Sequence, residues 1–200
     1  MIESLFPNRV LIKDYDLSDQ WNHNFSVMVK SIFAKELAEK QHYADAGNDA
    51  VPVFTAEHMS MCPELAQLRS MFVDCFHELA SAYSTNKLTR EEIDRRIDPD
   101  LARLPFMKHH DFKRAHSHDQ VIDAFAIFYL TEVDNARDGG ELILHDPSFS
   151  GLMNFHEKRT YPIATRRHRM IVCPNNIWHA VSRYWGTDQR ITVVVNLSAI

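Results

Sequence analysis

The stretch FKRAHSHDQVIDAFAIFYL (residues 112–130) decides how this chain is read. Its second half, Val121–Leu130, is rich in aromatic and branched side chains and reads as a strand. Its first half carries His116-Ser117-His118. Histidines at i and i+2 on an extended chain point the same way, so both imidazoles can reach one metal ion. A third histidine, His179, opens a later strand directly after the turn in PNNIWHAV (174–181). Imidazole is a borderline ligand suited to iron, copper, zinc or nickel. Histidine pairs also occur in ordinary surface loops, and the third histidine is what turns this pair into a candidate metal site. His116, His118 and His179 are therefore the candidate metal ligands and catalytic residues.

The strand pattern continues on the C-terminal side. ELILHDP (141–147) alternates like a strand after the turn DNARDGG (134–140). RHRMIVCP (167–174) is a strand stopped by Pro174. HAVSRYW (179–185), the turn GTD and RITVVVNLSAI (190–200) read as a hairpin. On the N-terminal side the period changes. NRVLIKDY (8–15) is a short strand candidate, and Ser18 caps a helix over about 19–41 with Phe25, Val29, Ile32, Phe33 and Leu37 at helical spacing. Residues 42–57 read as a loop. Pro63 starts a helix over about 62–83 with a stripe of Leu65, Leu68, Met71, Phe72, Phe76 and Leu79. Thr89 caps a short helix, REEIDRRI, with Glu91 and Glu92 in its first turn. The expected fold is mainly β with α, an antiparallel sandwich or open barrel backed by helices. One domain is expected over 1–200, with 1–100 mainly helical support and 101–200 the β core.

Composition excludes other classes. A chain of 200 residues with 45% hydrophobic and 24% charged side chains has globular, not disordered, composition. Five glycines and eight prolines exclude a collagen-like or linker-like chain. A formal charge of −5 and the lack of long Lys/Arg runs argue against duplex nucleic acid as a partner. No apolar stretch approaches the ~20 residues of a membrane span. The opening MIESLFPNRVLIKDYD has no signal-peptide apolar core. Cys62, Cys75 and Cys173 show no CxxC spacing and read as buried free thiols. The expected location is cytoplasmic.

A second group of residues follows His179. Arg190 lies eleven residues on, and Thr192 follows it on the same strand face. Arginine can grip a carboxylate through two N–H groups while a threonine hydroxyl adds a third contact. Tyr129, on the strand after the histidine pair, could add another hydroxyl. The alternative is a rim arginine paired with a surface acid.

These segments together resemble the iron(II)/2-oxoglutarate-dependent oxygenases, in particular an uncharacterised bacterial branch with an HxH motif. The resemblance is carried by FKRAHSHDQVIDAFAIFYL, GGELILHDP, MIVCPNNIWHAV and RITVVVN, in that order, over roughly residues 112–197. It implies a double-stranded β-helix, with iron(II) held by a His-x-Asp/Glu pair and a distal histidine, an open-sided facial triad. It also implies 2-oxoglutarate as co-substrate, bound to the iron at one end and to an arginine at the other. Carried over, His116 and His179 are ligands, and Arg190 with Thr192 and Tyr129 holds the 2-oxoglutarate carboxylate. The implied reaction couples decarboxylation of 2-oxoglutarate, to succinate and CO2, with hydroxylation of a C–H bond by O2.

One departure matters: the carboxylate position of the family is occupied by His118. Three readings stay open. His118 itself binds, giving an all-histidine site short of one negative charge, which an anionic co-substrate partly offsets. Asp119 swings in through a bulge. Or His109-x-Asp111 is the true pair, although His109 stands twenty residues before Tyr129, whereas His116 stands thirteen before it. A degenerate, metal-free fold is a fourth. Halogenation is disfavoured because no small residue occupies the ligand position.

Other residues read as structural. His145-Asp146 is a cap or turn, and His156 and His168 are solvent-facing. Trp178 and Trp185 are core, cross-strand or pocket-wall residues. Arg166, Arg167 and Arg169 lie on a solvated edge strand or at the cavity mouth. Met59, Met61, Met71 and Cys75 fill the core of the helical layer, and Asn196 makes structural hydrogen bonds near the site. A three-histidine cupin-type dioxygenase is the alternative enzyme; it wants a Glu shortly after HxH and has no use for Arg190 with Thr192. A non-catalytic metal- or ligand-binding barrel is the third reading. The substrate (small molecule, free amino acid or peptide side chain) and the oligomeric state have no motif, and 42–57 and 148–165 are candidate lids on length alone. His118→Ala is expected to abolish 2-oxoglutarate turnover and Asp111→Ala to spare it. The reverse result in a succinate-release assay would move the metal to His109-x-Asp111.

Overall fold

A computed structural model of the protein describes residues 9–39, 51–83, 88–97, 102–118, 122–146 and 160–198. Asp119, His156, residues 40–50 and residues 147–159 lie outside them, and with them the Asp119 reading and most of both candidate lids.

The chain begins with strand β1 (Leu11–Asp14) and helix α1 (Asp19–Glu39). Ser18 starts α1 as expected, its hydroxyl accepting from Trp21 N at 3.2 Å. A two-residue strand β2 (Val51–Pro52) and a short helix α2 (Ala56–Met61) follow, so the expected loop ends earlier than its composition suggests. Thr55 caps α2, accepting from His58 N at 3.1 Å. Helix α3 (Pro63–Tyr83) buries the expected apolar stripe. Helix α4 (Arg90–Arg96) starts with a full capping box, Thr89 and Glu92 bonding reciprocally.

The rest is mostly strand: β3 (Arg103–Leu104), β4 (Phe106–Met107), β5 (Lys113–His116) and β6 (Ile122–Tyr129). DNARDGG forms one helical turn, α5 (Asn135–Asp138). Then come β7 (Leu142–His145), β8 (Thr160–Ile163), β9 (Arg169–Pro174), β10 (His179–Val181) and β11 (Arg190–Ser198).

Two antiparallel sheets result. The larger runs β1-β9-β6-β11-β3-β2, with β4 also on β11, and the smaller runs β5-β10-β7-β8. Two antiparallel sheets backed by helices agree with the expected mainly-β architecture. The central strand β6 is buried on both faces except at Asp123. Side chains alternate along a strand, so Ala124, Ala126 and Phe128 pack toward the helices while Phe125, Ile127 and Tyr129 pack between the sheets. β9 splits in the same way, Met170 and Val172 to the helices and Ile171 and Cys173 to the inter-sheet core. Arg96 of α4 ties the layers at one end, donating from Nη2 to Ser198 O at 2.6 Å and pairing with Asp123.

Several expectations need correction. Residues 179–185 and 190–200 are not a hairpin. β10 pairs with β5 and β7, whereas β11 pairs with β6, β3 and β4 in the other sheet. The connecting backbone is engaged elsewhere, Tyr184 N donating to Asp111 O and Trp185 N to Asp138 O. Adjacent strands separated by a short turn look alike in sequence whether they pair or cross a sandwich. His168 is buried, not solvent-facing: it takes a positive φ of 64°, lies between Trp21 and Phe128, and meets Asn22 Oδ1 at 2.5 Å. β9 is an interior strand, and Arg166 and Arg169 pair with Asp14 on neighbouring β1. Trp178 and Trp185 are about half exposed, at 48% and 47%, and do not belong to the core. Met61 is 57% exposed because α2 buries none of its residues. The three cysteines are buried and free.

Phe128 joins the helical layer to the sheet. Its ring makes edge contacts with Tyr15, Trp21 and Phe72 and stacks on His168. Phe128→Ala is expected to cost about 3–5 kcal/mol of unfolding free energy, measured by urea denaturation. A loss below about 1 kcal/mol would mean the layers are held elsewhere.

Candidate metal centre and co-substrate cavity

The three histidines meet at the edge of the smaller sheet. His116 ends β5 and His179 begins β10, and the two are register partners across the antiparallel pair. His118 follows β5, its N–H donating to Asn175 O at 3.2 Å. One ligand nitrogen from each ring lies within 4.8 Å of the other two. His109 and Asp111 are placed apart from this group. Asp111 Oδ2 accepts from Lys108 N at 2.7 Å in a local turn, and His109 Nδ1 bonds to Trp185 O at 2.7 Å.

The ring orientations suit metal binding. His116 Nδ1 lies 2.9 Å from Arg114 O, and His179 Nδ1 lies 3.1 Å from Ile177 O. A carbonyl only accepts, so each Nδ1 carries the proton and each Nε2 keeps its lone pair for a metal. Phe125 supports the group from the inter-sheet core, its ring 4.2 Å from that of His179 and 4.9 Å from that of His118. Burial among these groups pushes His179 down to about 3, with the neighbouring His116 adding to the effect. Burial likewise lowers His116, and Lys113 assists. Both are neutral imidazoles at neutral pH, the protonation state a metal requires.

The histidines line a cavity of about 220 Å3 between the sheets, which also contains Arg190, Thr192, Asn196, Arg103 and Lys113. That is below the roughly 300–1,000 Å3 of drug-sized sites and suits small ligands. Arg190 is buried at the start of β11, and Thr192 lies two residues along the same face, register partner of Tyr129. The Arg190 guanidinium sits 5.1 Å from the Tyr129 ring centroid, and its Nη1 donates to Met107 Sδ at 3.4 Å. Among the described residues, Arg190 Nε, Tyr129 OH and Asn196 Oδ1 are buried without a hydrogen-bond partner. Burial pulls the Arg190 guanidinium down and pushes the Tyr129 phenol up. A buried cation with a thioether and a ring face for company is costly unless an anion completes it. Gly139 and Gly140 allow the neighbouring turn to pack here. Both take positive φ, and a Cβ on Gly140 would meet Arg190 Cδ at 3.1 Å.

Two lining cations were invisible to sequence reasoning. Lys113 and His116, three apart on one strand, ordinarily face opposite ways. The register shifts here, with Lys113–His116 of β5 lying opposite only His179–Val181 of β10, and both side chains reach the cavity. Arg103 arrives from β3, in a segment with no motif. Asn196 lies at the cavity as expected, and its Oδ1 has no hydrogen-bond partner among the described residues.

Residues 103–198 match the family described as the 2OG-Fe(II) oxygenase superfamily. The β-rich half of this chain belongs to that superfamily. Its members are enzymes, and iron(II) and 2-oxoglutarate are the cofactor and co-substrate that membership implies. No curated protein matches the chain. Among solved structures, a prolyl hydroxylase from Trichoplax adhaerens, in complex with a hypoxia-inducible-factor peptide fragment, is 12% identical with a TM-score of 0.63; the match covers 94% of this chain and 83% of that one. The carbocyclase SnoK of nogalamycin biosynthesis is 14% identical at a TM-score of 0.60, covering 94% and 79%. A viral collagen prolyl hydroxylase from Paramecium bursaria Chlorella virus-1, in its 2OG complex, is 14% identical at 0.55, covering 96% of each chain. At these identities the likeness is one of fold. No described helix is long and apolar enough to cross a membrane.

The neutral state of His179 has a consequence for stability. Unfolded, it titrates near 6.5; folded, near 3. The unfolded chain therefore binds the extra proton, and stability falls as pH drops below about 6.5. In the metal-free protein this one group is expected to remove about 2 kcal/mol between pH 7 and pH 5. Urea unfolding at those pH values should show it, and His179→Gln should flatten the dependence by that amount.

Proposed function

We propose that the protein is an iron(II)/2-oxoglutarate-dependent hydroxylase with an all-histidine metal site, in which His116, His118 and His179 hold the iron and Arg190, Thr192 and Tyr129 hold the co-substrate. One observation carries this reading. A cluster of three imidazoles shares a cavity with a buried arginine that has no anionic partner among the described residues.

Iron(II) with 2-oxoglutarate would supply the oxidising chemistry: O2 is consumed, 2-oxoglutarate becomes succinate and CO2, and one oxygen atom enters a substrate C–H bond. The chain's own residues do the rest. Arg190 binds the far carboxylate of 2-oxoglutarate, replacing the missing anion, while the Tyr129 and Thr192 hydroxyls orient it. The Arg114 and Ile177 carbonyls hold the His116 and His179 tautomers with Nε2 free. Phe125 and Ile127 keep water from the inner wall. His118 in place of a carboxylate leaves the ligand set neutral, and the charge of the bound 2-oxo acid compensates at the metal.

The neutral ligand set is also what a three-histidine cupin-type dioxygenase would have. Arg190 favours the first reading, because a cupin has no carboxylate to place there.

Anaerobic addition of iron(II) and then 2-oxoglutarate is expected to produce the weak visible charge-transfer band of a chelated 2-oxo acid. His179→Ala should abolish iron binding. Arg190→Ala should keep iron but raise the 2-oxoglutarate concentration needed by roughly 10- to 100-fold, as expected for losing a charged hydrogen-bond partner. Iron binding without the band would transfer the assignment to the cupin-type reading.

A further inference from the structure

The chemical class of the primary substrate follows from charges that the co-substrate leaves unused. The cavity is lined by Arg103, Lys113, Arg190 and the three histidines, and no described Asp or Glu lines it. Arg190 is deep and fully buried, while Arg103 and Lys113 are half-buried and reach solvent. They stand on opposite walls, Arg103 on β3 of the larger sheet and Lys113 on β5 of the smaller. Among the described residues neither has an ion-pair partner. They share this with Arg190 and differ from the half-buried arginines outside the cavity, where Arg69 meets Asp94, Arg96 meets Asp123 and Arg169 meets Asp14.

The charge count can be followed through loading. In the oxygenase reading, one carboxylate of 2-oxoglutarate meets Arg190 and the 2-oxo acid end meets the metal. Both negative charges of the co-substrate are then used. The ligand set adds none, because His118 stands where the family's carboxylate would. Two cations remain at the opening of a narrow, low-dielectric cleft, which focuses their field on whatever enters next. A neutral peptide backbone gains nothing from them, whereas a compact anion is drawn in and held by both walls.

We infer that the primary substrate is a small molecule bearing a carboxylate or phosphate group, held between Lys113 and Arg103 beside the metal. The inference rests on the oxygenase reading and narrows it. It assigns Lys113 and Arg103 to substrate recognition and excludes an uncharged peptide segment as the preferred substrate.

The test is a binding measurement on the full chain, loaded anaerobically with iron(II) and 2-oxoglutarate so that Arg190 is already occupied. Calorimetry compares L-aspartate with L-asparagine, O-phospho-L-serine with L-serine, and an end-blocked proline-containing peptide. At least one anion is expected to bind 10-fold or more tightly than its neutral counterpart, and which pair responds tells carboxylate from phosphate. Lys113→Gln and Arg103→Gln should each reduce that preference about 10-fold, while Lys113→Arg and Arg103→Lys retain it. No anion preference in either pair, or tighter binding of the blocked peptide than of every anion, overturns the inference. The 2-oxoglutarate band separates the two levels: its absence in the wild type means the oxygenase reading has failed, whereas its presence without an anion preference removes only the substrate class.

Discussion

The pairing of β6 with β11 sets the geometry on which everything else depends. The two strands are in register from Tyr129 opposite Thr192 to Ala124 opposite Leu197. Because side chains alternate, that single register assigns every residue of both strands to a layer. Phe128, Val193 and Val195 face the helices, while Tyr129, Arg190, Thr192 and Asn196 face the space between the sheets. A slip of one residue would send Arg190 into the helical core and Val193 into the cavity. The helices matter to the site through this constraint. By burying Phe128 against Trp21 and Phe72 they hold the register that aims Arg190.

The site is built from groups that are uncomfortable without ligands. Imidazoles are kept neutral by burial, a guanidinium is buried beside an aromatic ring and a thioether, and a phenol and an amide oxygen lack partners. Buried polar groups are ordinarily satisfied. Among the described residues, two of the exceptions, Arg190 Nε and Asn196 Oδ1, line the same cavity as the three imidazoles. In the proposed reading a metal ion would satisfy the imidazoles and a carboxylate would satisfy Arg190, and each would make the other easier to bind because their charges oppose. With His118 as the proposed third ligand in place of a carboxylate, the balance would shift toward positive charge, to which the cavity-lining Arg103 and Lys113 add.

Much was legible in advance, and for identifiable reasons. Helices α1, α3 and α4 announce themselves through caps and apolar stripes, both of which are local. The HxH spacing is local as well, since two residues apart on a strand means one side. The false hairpin at 179–200 and the exposed position assigned to His168 share one cause. Which strand β10 pairs with, and what packs on residue 168, depend on segments remote in the chain rather than on local sequence. Asn22 and Trp21 bury His168, and His116 and Leu144 flank His179.

By itself the sequence determined the kinds of element, the order in which they come and the residue types able to bind a metal and a carboxylate. Periodicity, capping and side-chain chemistry act within a few residues and need no knowledge of the fold. The tertiary structure alone decided which of these residues share a cavity. It separated His109 and Asp111 from His116, His118 and His179, although both sets have ligand spacing. It also brought Arg103 and Lys113 to the same cavity through a two-residue strand and a bulge. The physical reason is that a cavity is bounded by chain segments remote in sequence, and its charge is a sum over all of them.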